Sequence, residues 1–184
     1  MRDLPTGYLD TCNRIVSILH ALFCIVSTTY YFLTTSIYIE CGGSTTALEY
    51  SILVVSTGYL CYDLLCMMYL GILDLDGTFH HSMAIIVSSL LIILDSGTNY
   101  WVGVLAMSEV SIPFLHMRCI LRTIGLSKTK AFYLCEDLYF GLYFIGRALV
   151  GSVLIWNIMI CDSIFILLKI AGFPLEIRSL YFIW

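Results

Sequence analysis

The stretch FHHSMAIIVSSLLIILD, residues 79–95, decides the fold class. Beyond its two histidines it is an apolar run that no charge interrupts until Asp95. A run of this kind reads as a segment buried in hydrocarbon, although it is short for a full crossing of about 20 residues. Ionisable groups at such depth cost free energy, so they face a bundle interior and mark a site or a polar relay. His80 and His81 are such groups. A second stretch, SEVSIPFLHMR at residues 108–118, places Glu109, His116 and Arg118 around a proline in the same kind of surroundings.

Composition agrees with that reading. Of 184 residues, 60% are hydrophobic and 12% charged, with a mean hydropathy of +0.93. Soluble domains carry about 25% charged residues, so a soluble fold is excluded. The length suits one membrane domain of about five or six spans with short loops. The formal charge of −4 is spread thinly. No basic cluster is dense enough to hold the many phosphates of a nucleic acid.

Six apolar stretches can be drawn: about 14–34, 47–73, 79–95, 99–122 interrupted at Pro113, and two within 131–172, turning near Gly146–Gly151. Residues 1–13 form a short polar N-terminus. Asp3 and Asp10 there fit neither a signal peptide nor an Arg-rich presequence. Residues 173–184 form an apolar tail too short to span, expected to lie along the interface, and it carries no retention or lipidation motif. The eight cysteines show no CxxC or metal-ligand spacing and read as small buried hydrophobes. Cys41, in a loop beside Gly42-Gly43, is the one set apart.

Arg118, Arg122, Lys128 and Lys130 cluster between the fourth and fifth stretches. Arg2 and Arg14 lie at the N-terminus, and Lys169 and Arg178 toward the C-terminus, whereas the loops holding Glu40 and Asp95 have neither Lys nor Arg. Six crossings with both termini inside satisfy the positive-inside rule. The expected fold is therefore an all-α transmembrane bundle of about six helices with a polar interior.

Helical spacing sorts the polar residues onto stripes. His81, Ser88, Ile92 and Asp95 share one face; Glu136, Phe140, Tyr143 and Arg147 another; Glu109, Pro113 and His116 a third. Asp63 comes one turn after Tyr59, which comes one turn after Ser56, and Asp162 precedes Lys169 by seven residues. Two explanations stand. The stripes are interhelical hydrogen bonds, worth about 0.6–2 kcal/mol each, or they line a shared polar cavity. Asp, Glu, His and Arg are harder to hide than Ser or Thr, which favours water or a partner near them. Pro113 lacks an N–H, so the Glu109 carbonyl loses its helical partner.

Adjacent helical residues point about 100° apart, so His80 and His81 do not chelate one metal together. A metal would need a further ligand such as His116, Asp76 or Glu109, and nothing in the sequence requires one; no metal site is expected. Histidine with an orienting acid can relay protons or act as a nucleophile, which makes His80 and His81 catalytic candidates with Asp76, Asp63 or Glu109 as the acid.

At these residues the chain resembles the TLC-domain family, which includes the ceramide synthases, the translocating-chain-associated membrane proteins and the ceroid-lipofuscinosis neuronal membrane protein. The matching pieces are GYLCYDL at 58–64, His80-His81, the Glu109–Arg118 segment and FIGR at 144–147, in order over about residues 14–172. The resemblance implies a bundle of six core spans around a lipid-accessible cavity. In the synthase branch the histidine pair belongs to an acyl-transfer site using acyl-CoA and a sphingoid amine. This chain lacks that branch's downstream acidic stretch and carries Glu-x-Ser-x-Pro-Phe instead, which resembles the non-synthase branch. The resemblance thus implies a protein that binds or handles membrane lipid, an acyl chain or phospholipid; it leans away from an enzyme, and any activity would be that of an acyltransferase. The expected lining is Asp63, His80, His81, Glu109, Pro113, His116, Arg118 and Arg147, with bound lipid and membrane lipids as partners. Two alternatives stay open: an accessory subunit of a larger membrane complex, and an acyl-CoA-dependent N-acyltransferase. The resemblance points to the endoplasmic reticulum, with the mitochondrial inner membrane as the alternative.

Overall fold

The computed structural model describes residues 6–35, 43–73 and 75–181. Cys41, Glu40, Arg2, Asp3 and the last residues of the tail lie outside the described residues, as do the side chains of Asp76, Glu176 and Arg178. Helix α1 spans Thr6–Thr34, α2 Ala47–Leu70, α3 Leu75–Leu94, α4 Thr98–Glu109 and α5 Ile112–Thr123. Helix α6, Lys130–Tyr143, continues through a π-helical segment, Phe144–Gly151, into α7, Ser152–Ile160; α8 covers Ile166–Tyr181. No strand occurs among the described residues. Five helical stretches are long and apolar enough to cross a membrane, α4–α5 and α6–α7 each counting as one. The shorter α8 packs on α3 and α7.

Local chemistry sets the ends. Thr46 and Glu49 form a capping box at the start of α2, each satisfying a backbone N–H of the other. Gly71 closes α2 at φ +66°, a left-handed conformation that a side chain would strain. Asp95, at the end of α3, accepts from the Thr45 amide at 2.9 Å. The Thr45 side chain and amide together hold that carboxyl below its ordinary range.

Helix α4 is the axis of the bundle. Thr98 through Gly103, with Leu105 and Ala106, are buried, and the helix touches α1, α2, α3, α5, α7 and the π-helical segment. Its Trp101 reaches the Ser88 hydroxyl of α3 with its indole N–H at 3.1 Å. The outward face of the bundle is apolar. Leu33, Leu65, Tyr69, Ile93 and Trp156 each expose more than 60% of their surface. In water such a surface would associate or aggregate, whereas in a bilayer it needs no partner.

Several expectations change. The chain does not turn near Gly146–Gly151: it runs helical from Lys130 to Ile160 and turns at 161–165. The glycines there serve close packing. A Cβ on Gly146 would lie 2.5 Å from the Met107 carbonyl oxygen of α4, so the π-helical segment and its glycine let two backbones approach. One expectation holds: the fourth stretch is interrupted beside Pro113, where α4 ends at Glu109, Val110 and Ser111 keep right-handed dihedrals, and α5 resumes at Ile112 with the proline in its first turn. Cys161 is disulfide-bonded, so it is not simply a buried hydrophobe. The boundary drawn at residue 173 also falls inside an element, because α8 runs through it to Tyr181.

The two ends of the bundle differ. At one end Asp95 meets the loop before α2, Ser96 donates to the Ser163 carbonyl at 3.4 Å, and Gly97 packs on Ile164. Cys161 and Lys169 belong to this end, Lys169 donating to the Met159 carbonyl in the last turn of α7 at 3.0 Å. That removes Lys169 from the cationic end, where Arg122, Lys128 and Lys130 flank the turn at 124–129.

Gly146→Ala is expected to destabilise the bundle by about 1–3 kcal/mol through overpacking, read as a lower melting temperature in detergent. Gly141→Ala, where an added Cβ meets nothing within 4 Å, is the control and should be neutral or stabilising.

Candidate functional site

The site begins on α1. Asn13, Ser17, His20, Cys24, Thr28 and Tyr31 are all buried, and their spacing of three and four keeps them on one helical face. This stripe drives polar groups into the bundle, and each must find a partner there. The Asn13 side-chain amide donates to Asp63 Oδ1 of α2 at 2.8 Å. Asp63 Oδ2 lies 3.4 Å from His81 Nε2 of α3. One carboxylate therefore joins three helices.

Two turns further along α1, the His20 ring stacks on Tyr59, with centroids 3.8 Å apart and planes at 12°. His20 Nε2 is 3.3 Å from Cys24 Sγ, which is also 3.4 Å from Ser56 Oγ. His20 Nδ1 faces Glu109 Oε2 of α4 at 3.6 Å, too long for a hydrogen bond. Toward the far end, the Tyr31 hydroxyl donates to Glu49 Oε1 at 2.6 Å. Helical spacing applied to α1 would have found Asn13 and His20. The Thr46-x-x-Glu49 capping pattern would have found Glu49. The partners themselves lie too far apart in sequence for any local pattern to pair them.

A cavity of about 60 Å³ opens beside this chain of contacts, between α2, α3, α4 and the π-helical segment. It has room for roughly four waters. Its polar lining is His80, Ser88, Ser108, Glu109 and Arg147. Leu60, Val104, Leu105, Trp101 and Ile155 supply apolar walls. Arg147 projects from the π-helical segment, donates from Nη2 to the Ser108 carbonyl at 3.1 Å and lies 5.1 Å from the Tyr143 ring centroid.

The expected lining residues thus divide. His80, Glu109 and Arg147 meet at the cavity. Asp63 and His81 form a pair that does not line it, so the two adjacent histidines serve different neighbours, as their angular offset on the helix requires. Pro113 stands in the first turn of α5. His116 is partly buried, and its Nδ1 has no hydrogen-bond partner among the described residues. Arg118 pairs with Glu136 of α6 at 3.1 Å and lies 5.7 Å from the Phe132 ring. That contact joins α5 to α6 and leaves Arg118 out of the cavity, together with the Glu136 end of the stripe that aligns with Arg147. No group of three metal-ligating side chains occurs among the described residues.

The family model for the TLC domain matches residues 10–177, nearly the whole chain and every element of this site. The chain belongs to the TLC-domain family. Compared with curated proteins and with solved structures, it has no match.

Asp63→Ala is expected to cost about 3–5 kcal/mol, because it strips the shared acceptor from Asn13 and His81 within the bundle. Asp63→Asn, which keeps an acceptor oxygen, should cost less. Thermal unfolding of both variants in one detergent checks the order; equal stabilities for wild type and Asp63→Ala would show that the contact contributes nothing.

Proposed function

Proceeding from membership in the TLC-domain family, we propose that this protein binds a membrane lipid within the bundle, its polar end in the cavity lined by His80, Glu109 and Arg147. The observation that carries the reading is the make-up of that cavity. A guanidinium and a carboxylate share one small space with His80 and two serines, and its remaining walls are apolar. Polar groups kept at membrane depth are expensive unless something satisfies them, and a lipid supplies polar contacts through its headgroup and apolar contacts through its acyl tail. A pocket of mostly apolar lining with a few convergent polar groups is the usual form of a small-molecule site.

Ala84 lines the cavity, so Ala84→Phe should fill it. Mass spectrometry of lipid co-purifying with the protein should then show roughly a tenfold loss, the change that about 1.4 kcal/mol of lost contact produces. Ile93→Phe, at a side chain that is 75% exposed, should leave the lipid load unchanged. Equal loads in wild type and Ala84→Phe would overturn the reading.

A second reading has its own observation. The His81–Asp63 pair, with Asn13 fixing the carboxylate from behind, has the form of a base and its orienting acid. It supports an acyl-CoA-dependent N-acyltransferase in which His81 takes the proton of the attacking amine. Purified protein given acyl-CoA and a long-chain amine would form amide, and His81→Ala would lower the rate by at least about a hundredfold. Amide formation at the same rate by both proteins excludes this role for His81.

A further inference from the structure

Glu109 and Arg147 line the same cavity, yet no ion pair joins them among the described residues. Each is left short of partners. No hydrogen bond reaches the Glu109 carboxylate among the described residues, and His20 Nδ1 stands 3.6 Å from its Oε2, beyond hydrogen-bond distance. Its side chain is only 12% exposed. Arg147 satisfies one terminal nitrogen on a neutral carbonyl, while its buried Nε has no partner among the described residues. The aromatic face of Tyr143 adds attraction for the cation without neutralising it. Two opposite, incompletely satisfied charges on different helices therefore face one space at low dielectric, where unpaired charges are most costly.

The group that completes such a site carries both charges itself. We infer that the cavity selects a zwitterionic lipid headgroup, its anionic phosphodiester on Arg147 and a primary ammonium on Glu109. The guanidinium has donors in a fork that suits phosphate oxygens. Glu109 lacks a hydrogen-bond donor, so its ligand must bring N–H groups; a quaternary ammonium has none. A purely anionic headgroup would satisfy Arg147 but meet the Glu109 carboxylate as a like charge. The apolar walls beside the charges favour a lipid over a free headgroup. This inference rests on the lipid-binding reading and names the class of lipid.

The test uses the full chain in phosphatidylcholine nanodiscs doped with a minor fraction of either phosphatidylethanolamine or phosphatidylglycerol, with retained lipid read by native mass spectrometry. Wild type should retain phosphatidylethanolamine preferentially. Glu109→Gln should lose that preference by at least about tenfold, the scale of one charge-assisted hydrogen bond, while holding phosphatidylglycerol as well as wild type or better. Arg147→Gln should lose both lipids. Arg147→Lys keeps the charge without the fork and should hold both lipids more weakly than wild type, which covers the case in which Arg147→Gln does not fold. If wild type retains both doped lipids alike and Glu109→Gln changes neither, the charge-pair assignment fails while lipid binding stands. If wild type retains neither lipid and the cavity is merely hydrated, both readings fail. Soluble O-phosphoethanolamine competing as tightly as the lipid would overturn the lipid assignment alone.

Discussion

The Asp63 carboxylate is the contact on which the rest of the arrangement depends. It accepts from Asn13 on α1 and faces His81 on α3, so three helices are registered by one side chain. Hydrocarbon offers a bare carboxylate no alternative partner, which makes a slip along any of the three helices costly. With α1 fixed in register, His20 stacks on Tyr59 and its Nδ1 turns toward Glu109. Glu109 in turn ends α4 at the cavity. The polar system is thus an ordered chain of contacts from α1 through α2 and α4 to the space beside Arg147.

Apolar packing completes the arrangement that the polar contacts begin. Helix α4 lies at the centre, buried along most of its length. The π-helical segment brings Arg147 against it because Gly146 permits an approach that any Cβ would block. A regular α-helix through Phe144–Gly151 would point these side chains differently, since each π-turn accommodates an extra residue and rotates the helix beyond it. Two local irregularities, the π-helical segment and the break at Val110–Ser111, adjoin the cavity. Irregular backbone at membrane depth is tolerated where protein or a cavity covers it, and the two features obey that rule.

Much of the fold was legible in the residues. The apolar runs and their lengths gave the helices. The histidine pair, Glu109 and Arg147 stood out because ionisable groups are rare in such surroundings. The failures have local causes. Gly146 and Gly151 read as a turn, since glycine has the same signature in a turn and in a close helix contact. Arg118 meets Glu136 and Phe132 of α6, partners that no local pattern reveals.

Sequence by itself determined the class: a helical membrane domain of the TLC type, with charges that could not face lipid. Hydrophobic run length and the cost of buried charge are properties of single segments, so one chain of letters is enough to read them. Which charges meet was decided only by the tertiary structure. His80 and His81 are neighbours in sequence, but one lines the cavity and the other pairs with Asp63. Glu109 and Arg147 are far apart in sequence, but they face one space. Helix rotation and register set those meetings, and both arise from packing among several helices at once.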